Sequence, residues 1–110
     1  MAVVVCGANS YNKKYYLNPS FDRLPPDVQQ TLKLICVEFV EEAGGIFTIE
    51  FDLDGKPEFT VRAGEHDTVF SQTEADVKIQ KLQEEEGELM EQLTYFYRIF
   101  VQGGGIDLDR

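Results

Sequence analysis

The stretch Ile46-Phe-Thr-Ile-Glu-Phe51-Asp-Leu-Asp-Gly55-Lys-Pro57-Glu-Phe-Thr-Val61-Arg-Ala63 decides how this chain folds. Apolar and polar residues alternate on both sides of Leu53-Asp54-Gly55, the period of a half-buried strand, so the segment reads as a β-hairpin. Asp54-Gly55 alone suggests a two-residue type I′ turn. That register would set Phe51 against Glu58 and Glu50 against Phe59, mixing apolar and charged side chains on each face. A three-residue loop, Leu53-Asp54-Gly55 with Gly55 left-handed, removes the conflict. Phe47 then faces Val61, Ile49 faces Phe59 and Phe51 faces Pro57 on one side. Thr48 faces Thr60 and Asp52 faces Lys56 on the other. Glu50 against Glu58 is the one unfavourable pair, and Pro57 predicts an edge strand or one unpaired near its start.

Upstream, Pro25-Pro26-Asp27 is a helix-start signal, because proline at the first helical position loses no needed N–H and the acid favours the dipole. The helix is predicted over Pro26 to Ala43, ending at Gly44-Gly45. Val28, Leu32, Ile35, Cys36, Phe39 and Ala43 share one face, with Val40 at its margin. Leu34 and Val37 fall on the other side, among Gln30, Lys33, Glu38 and Glu41. Further back, Ala2 to Cys6 is a β-branched apolar strand, Gly7-Ala8-Asn9-Ser10 supplies turn chemistry, and Asn12 to Leu17 is extended. This makes a first hairpin.

Downstream, Gly64 to Gln72 is a connection, and Ser71-Gln-Thr-Glu74 matches a capping box that starts a second helix. Ile79, Leu82, Glu86, Leu89, Leu93, Phe96 and Phe100 follow a 3–4 spacing broken only by Glu86, with Gly87 beside it. A straight helix over these ~28 residues would measure about 42 Å, longer than a small core. It must kink near Glu86-Gly87 or project onto another subunit. The expected fold class is α+β, two hairpins and two main helices in ββα-ββα order, with an antiparallel sheet covered by helices. Residues 1–102 are expected to form one domain and 103–110 a flexible acidic tail.

The chain has 110 residues, 43% hydrophobic and 27% charged, which suits one folded domain and excludes general disorder. Twenty acids against ten bases give a net charge of −10, so the bulk field repels nucleic acid and anionic membranes. The charge is uneven: residues 1–40 hold four bases and three acids, net +1, and residues 41–110 hold six and seventeen, net −11. That acidity keeps the surface solvated, or serves a basic protein partner. No run approaches the ~18 apolar residues of a bilayer span. The opening Met-Ala-Val-Val-Val-Cys6-Gly7 lacks the basic and apolar regions of a signal peptide. Cytoplasmic location is expected, with Cys6 and Cys36 as free thiols; a disulfide between them is the unusual alternative there.

Reactive side chains are densest at the first hairpin, where Cys6, Asn9, Tyr11 and Lys13 are candidates for a ligand or reactive site. A thiol near ammonium groups is a potential nucleophile, although a Val-Val-Val-Cys strand equally suits a buried cysteine. His66 lies between Glu65 and Asp67 but has no second neutral ligand at metal spacing. Glu50 to Gly55 imitates the opening of a calcium loop, yet Val61 stands where the bidentate glutamate belongs. No catalytic residue, metal or cofactor is expected.

Cys6-Gly7-Ala8-Asn9, Tyr11 and Lys13-Lys14-Tyr15-Tyr16, followed by a helix ending in Gly44-Gly45, resemble a small uncharacterised family of about 110 residues from Gram-positive, Clostridia-type bacteria. The resemblance implies a cytoplasmic bacterial protein and brings no catalytic residues or cofactor. Two functional expectations follow from the residues themselves. The leading one is a non-enzymatic interaction or assembly module acting as a homodimer, through Leu34 and Val37 or through Leu89, Leu93, Phe96 and Phe100. The other is a small-molecule binder or minor enzyme working from the first hairpin with Cys6, Tyr11 and Lys13.

Overall fold

The computed structural model describes residues 3–102. Met1, Ala2 and the expected tail at 103–110 lie outside the described residues. Four strands, β1 (Val3–Asn9), β2 (Lys14–Leu17), β3 (Ile46–Phe51) and β4 (Pro57–Arg62), form one antiparallel sheet in the order β2-β1-β3-β4. The protein is α+β. The apolar strands β1 and β3 pair at the centre, while short β2 and the proline-led β4 take the edges.

Two rows fix the buried face. Leu17, Cys6, Ile49 and Phe59 lie across the sheet in one, and Tyr15, Ala8, Phe47 and Val61 in the other. The second hairpin has the predicted register, with Phe51 opposite Pro57 and Gly55 at φ 80°. Its like-charge pair is relieved locally, because the Glu50 carboxylate accepts from Thr48 Oγ1 at 2.6 Å.

The first hairpin corrects the expected turn at residues 7–10. Gly7 is inside β1, opposite Tyr16 and Thr48, and a Cβ there would lie 2.7 Å from the Phe47 carbonyl oxygen. Close strand approach, not a turn, is what this glycine permits. Val5 is an extra residue between the paired positions Val4 and Cys6, a β-bulge. Asn18 secures it: its N–H and Nδ2 donate to the carbonyls of Val5 (2.8 Å) and Val4 (2.7 Å).

Helix α1 spans Pro26–Ala43, as predicted, and packs across β1 and β3 with Leu32, Cys36, Phe39 and Val40 buried. The expected long last helix is two helices, α2 (Gln72–Glu85) and α3 (Gly87–Phe96), followed by a π turn over Tyr97–Val101. Ser71 Oγ accepts from the Glu74 N–H, so the capping signal marks the true start of α2. The break falls at Glu86, where a charged side chain interrupts the apolar seam and φ −110°, ψ 28° leaves the helical region. It turns Leu89, Leu93 and Phe96 into the chain's own core. There Phe51 and Tyr97 stack at 4.1 Å, with Phe21 against Tyr97 (6.2 Å) and Phe96 (5.8 Å). Among the described residues, no helix is long and apolar enough to cross a membrane.

Candidate functional site

The loop of the first hairpin, residues 10–13, is shaped by asparagine side chains rather than by glycine. Asn9 Oδ1 accepts from the Tyr11 N–H at 2.8 Å, and Asn12 Oδ1 accepts from the Lys14 N–H at 3.1 Å. The chain re-enters β2 through Lys13 at φ 56°, the one non-glycine residue with positive φ among the described residues. This loop faces α1 from its middle onward, where Lys33, Val37, Val40 and Glu41 occupy one stripe at spacings of three and four.

Between them runs a groove of about 810 Å³ lined by Ala8, Asn9, Ser10, Lys13, Lys14, Tyr15, Lys33, Val37, Val40 and Glu41. Ala8 and Val40 are buried and Tyr15 and Val37 half-buried, so they form an apolar floor beneath exposed lysines. Three ammonium groups face one carboxylate there. Below the floor, Cys6 and Cys36 are wholly buried with their sulfurs 3.6 Å apart. The S–H contact with Cys6, followed by burial, pushes the Cys36 thiol far up. The Tyr15 hydroxyl is buried with no hydrogen-bond partner among the described residues. Burial, then its closeness to the two thiols, pushes it up as well.

The four candidates from the first hairpin therefore separate. Asn9 and Lys13 line the groove, whereas Cys6 lies beneath it. Tyr11 reaches across to the β4–α2 connection, where its O–H donates to Asp67 Oδ2 (2.5 Å) and its oxygen accepts from the Gly64 N–H (2.8 Å). His66 is exposed beside Glu65 at 4.0 Å, while Asp67 is turned to Tyr11. Among the described residues no cluster of three or more His, Cys, Asp or Glu is arranged to hold a metal.

Of the proposed interface residues, Leu34 is 48% exposed and Val37 lines the groove. Leu89, Leu93 and Phe96 are core residues of this chain, which corrects their expected place at a subunit seam. Phe100 is exposed, with the Arg23 guanidinium 5.7 Å above its ring. Sequence reasoning missed Lys33 as a groove residue. The signal for Lys33 was the Lys33–Val37–Glu41 stripe, which also describes any solvated helix face.

Fold and groove together define a two-layer α+β domain that carries a cation-rimmed pocket beside its helical layer. The chain belongs to a family of unknown function (DUF6145), whose sequence model matches residues 2–105. No curated protein and no solved structure matches it.

Proposed function

We propose that the groove between the first hairpin and α1 binds a small amphipathic anion, a carboxylate or phosphate head on an apolar body. One observation carries this reading: three of the chain's ten basic residues line a single groove over an apolar floor, in a chain of net charge −10. Ammonium groups supply point charges and adaptable donors for an anionic head, and Ala8, Tyr15, Val37 and Val40 offer apolar surface to its body. Lys13 adds support, because a lysine held at positive φ is a backbone cost that a glycine would avoid. The groove's side chains hold and orient a ligand. Its sulfurs lie below the floor, so binding rather than catalysis is the activity proposed.

Isothermal titration calorimetry with octanoate, inorganic phosphate and octylamine tests this. Octanoate should bind more tightly than phosphate and octylamine should not bind. Lys33→Glu should weaken octanoate by at least about tenfold, or about 1.4 kcal/mol. Equal binding of octanoate and octylamine would reject the charge-based reading.

A second reading, homodimerisation through the outer stripe of α1, is favoured by the exposure of Leu34. It predicts a dimer in sedimentation that Leu34→Glu converts to a folded monomer. A wild-type chain that sediments as a monomer at high concentration removes it.

A further inference from the structure

We infer that Cys6 and Cys36 form a peroxide-oxidised disulfide site that joins the two walls of the groove, β1 and α1. The inference does not depend on what the groove binds. It rests on placement: residues 30 apart in sequence bring their sulfurs to 3.6 Å, side by side and wholly buried. A disulfide needs about 2.05 Å between sulfurs, so the pair must close by roughly 1.5 Å. The bulge at Val5 immediately precedes Cys6, a place where strand geometry already departs from regular pairing.

Neither sulfur has any exposed surface, which selects a small oxidant over a bulky disulfide. Hydrogen peroxide is that oxidant. One cysteine sulfur attacks a peroxide oxygen and the O–O bond breaks. The departing hydroxide leaves as water with the thiol proton, giving a sulfenic acid. The second sulfur then attacks the first, the S–O bond breaks and the S–S bond forms. The oxygen leaves as a second water, carrying the remaining thiol proton. Two thiols and one peroxide thus become one disulfide and two waters, with two electrons passing from sulfur to oxygen. Tyr15 lines the groove, and its buried hydroxyl is close to both thiols. The protonated, buried state of Cys36 makes the first step slower than at an exposed thiol.

The test is peroxide treatment of the folded, full-length chain, followed by denaturation, alkylation and intact mass measurement. The expected product is a monomer about 2 Da lighter than the reduced chain that takes up no alkylating agent. Peptide mapping should link Cys6 to Cys36, and dithiothreitol should restore two alkylatable thiols. The oxidised chain should also melt higher by more than about 5 °C, because the closed loop restricts the unfolded state. Two thiols that survive while the urea-unfolded chain oxidises would overturn the proposal. So would gain of oxygen on one cysteine without the link, or a disulfide between two chains.

Discussion

Lys13 combines two properties that evolution can supply separately, a positive charge at the groove and a left-handed backbone. For a residue with a Cβ that conformation costs about 1–2 kcal/mol, and a glycine would remove the cost. Lys13→Gly therefore separates fold from function. The variant should melt at the same temperature or higher, yet bind octanoate several-fold more weakly. A drop in melting temperature would show that the Lys13 side chain supports the fold. Asn18 is a second residue of this kind, joining the bulge carbonyls to the turn at Pro19–Phe21 through its amide and its Oδ1 bond to the Ser20 N–H at 2.9 Å. The sequence singles out Lys13 for its charge alone and Asn18 not at all. Lysine and asparagine are ordinary loop residues, and only the observed φ angle and bonds distinguish these two.

At the scale of elements, the two hairpin loops differ in what shapes them. The Leu53-Asp54-Gly55 loop follows from side-chain alternation, and the register it implies is the one present. The 10–13 loop depends on hydrogen bonds accepted by Asn9 Oδ1 and on Tyr11 latching to the β4–α2 connection. Periodicity contains neither, which is why Gly7 was expected in a turn. The last helix was legible in its start at Ser71 and in the weakness at Glu86-Gly87. Whether it kinked or projected depended on the core that Leu89, Leu93 and Phe96 would find.

The Tyr11 latch has a defined pH window. The hydrogen bond from Tyr11, then the Val69 N–H, holds the Asp67 carboxyl below its ordinary range. The same bond to Asp67 raises the Tyr11 hydroxyl, against a smaller lowering by the Gly64 amide. A lowered acid contributes stability above its unfolded pKa and loses it as pH falls through the folded one. A raised tyrosine contributes below its unfolded pKa and loses it as pH rises through the folded one. The latch should thus hold between about pH 4 and pH 10. The Gly64 amide should keep a constant chemical shift across that range and move outside it. In Tyr11→Phe the amide should exchange freely with solvent at every pH, and undiminished protection there would show that another group covers it.

Across the whole molecule, two aromatic groups tie the sheet to its helices. Phe39 stacks on Phe47 at 4.3 Å near the groove end of α1, and the Phe21–Phe51–Tyr97 stack closes the other end. Phe51 is fully buried, so Phe51→Ala should cost about 3–5 kcal/mol in urea unfolding. A loss under about 1 kcal/mol would mean that the last helix is not held through this stack. The α+β class and the identities of most core residues could be read from periodicity. The groove could not, because Lys33 lies 19 positions beyond Lys14 and meets the hairpin only once α1 is laid across β1 and β3. Its cationic character was visible only in part, in Lys13-Lys14 of the first hairpin and in the net +1 of residues 1–40. That sum locates a charged half of the chain without locating a site.

The central claim, an anion-binding groove, is tested most directly by ¹H–¹⁵N correlation spectra of the labelled chain titrated with octanoate and, separately, octylamine. Octanoate should shift the amides of Asn9 to Tyr15 and of Lys33 to Glu41 in a saturable, salt-sensitive way, while octylamine leaves them in place. Shifts confined to the α1–α2 side around Glu42 and Lys78, or no saturable shift with octanoate, would contradict it.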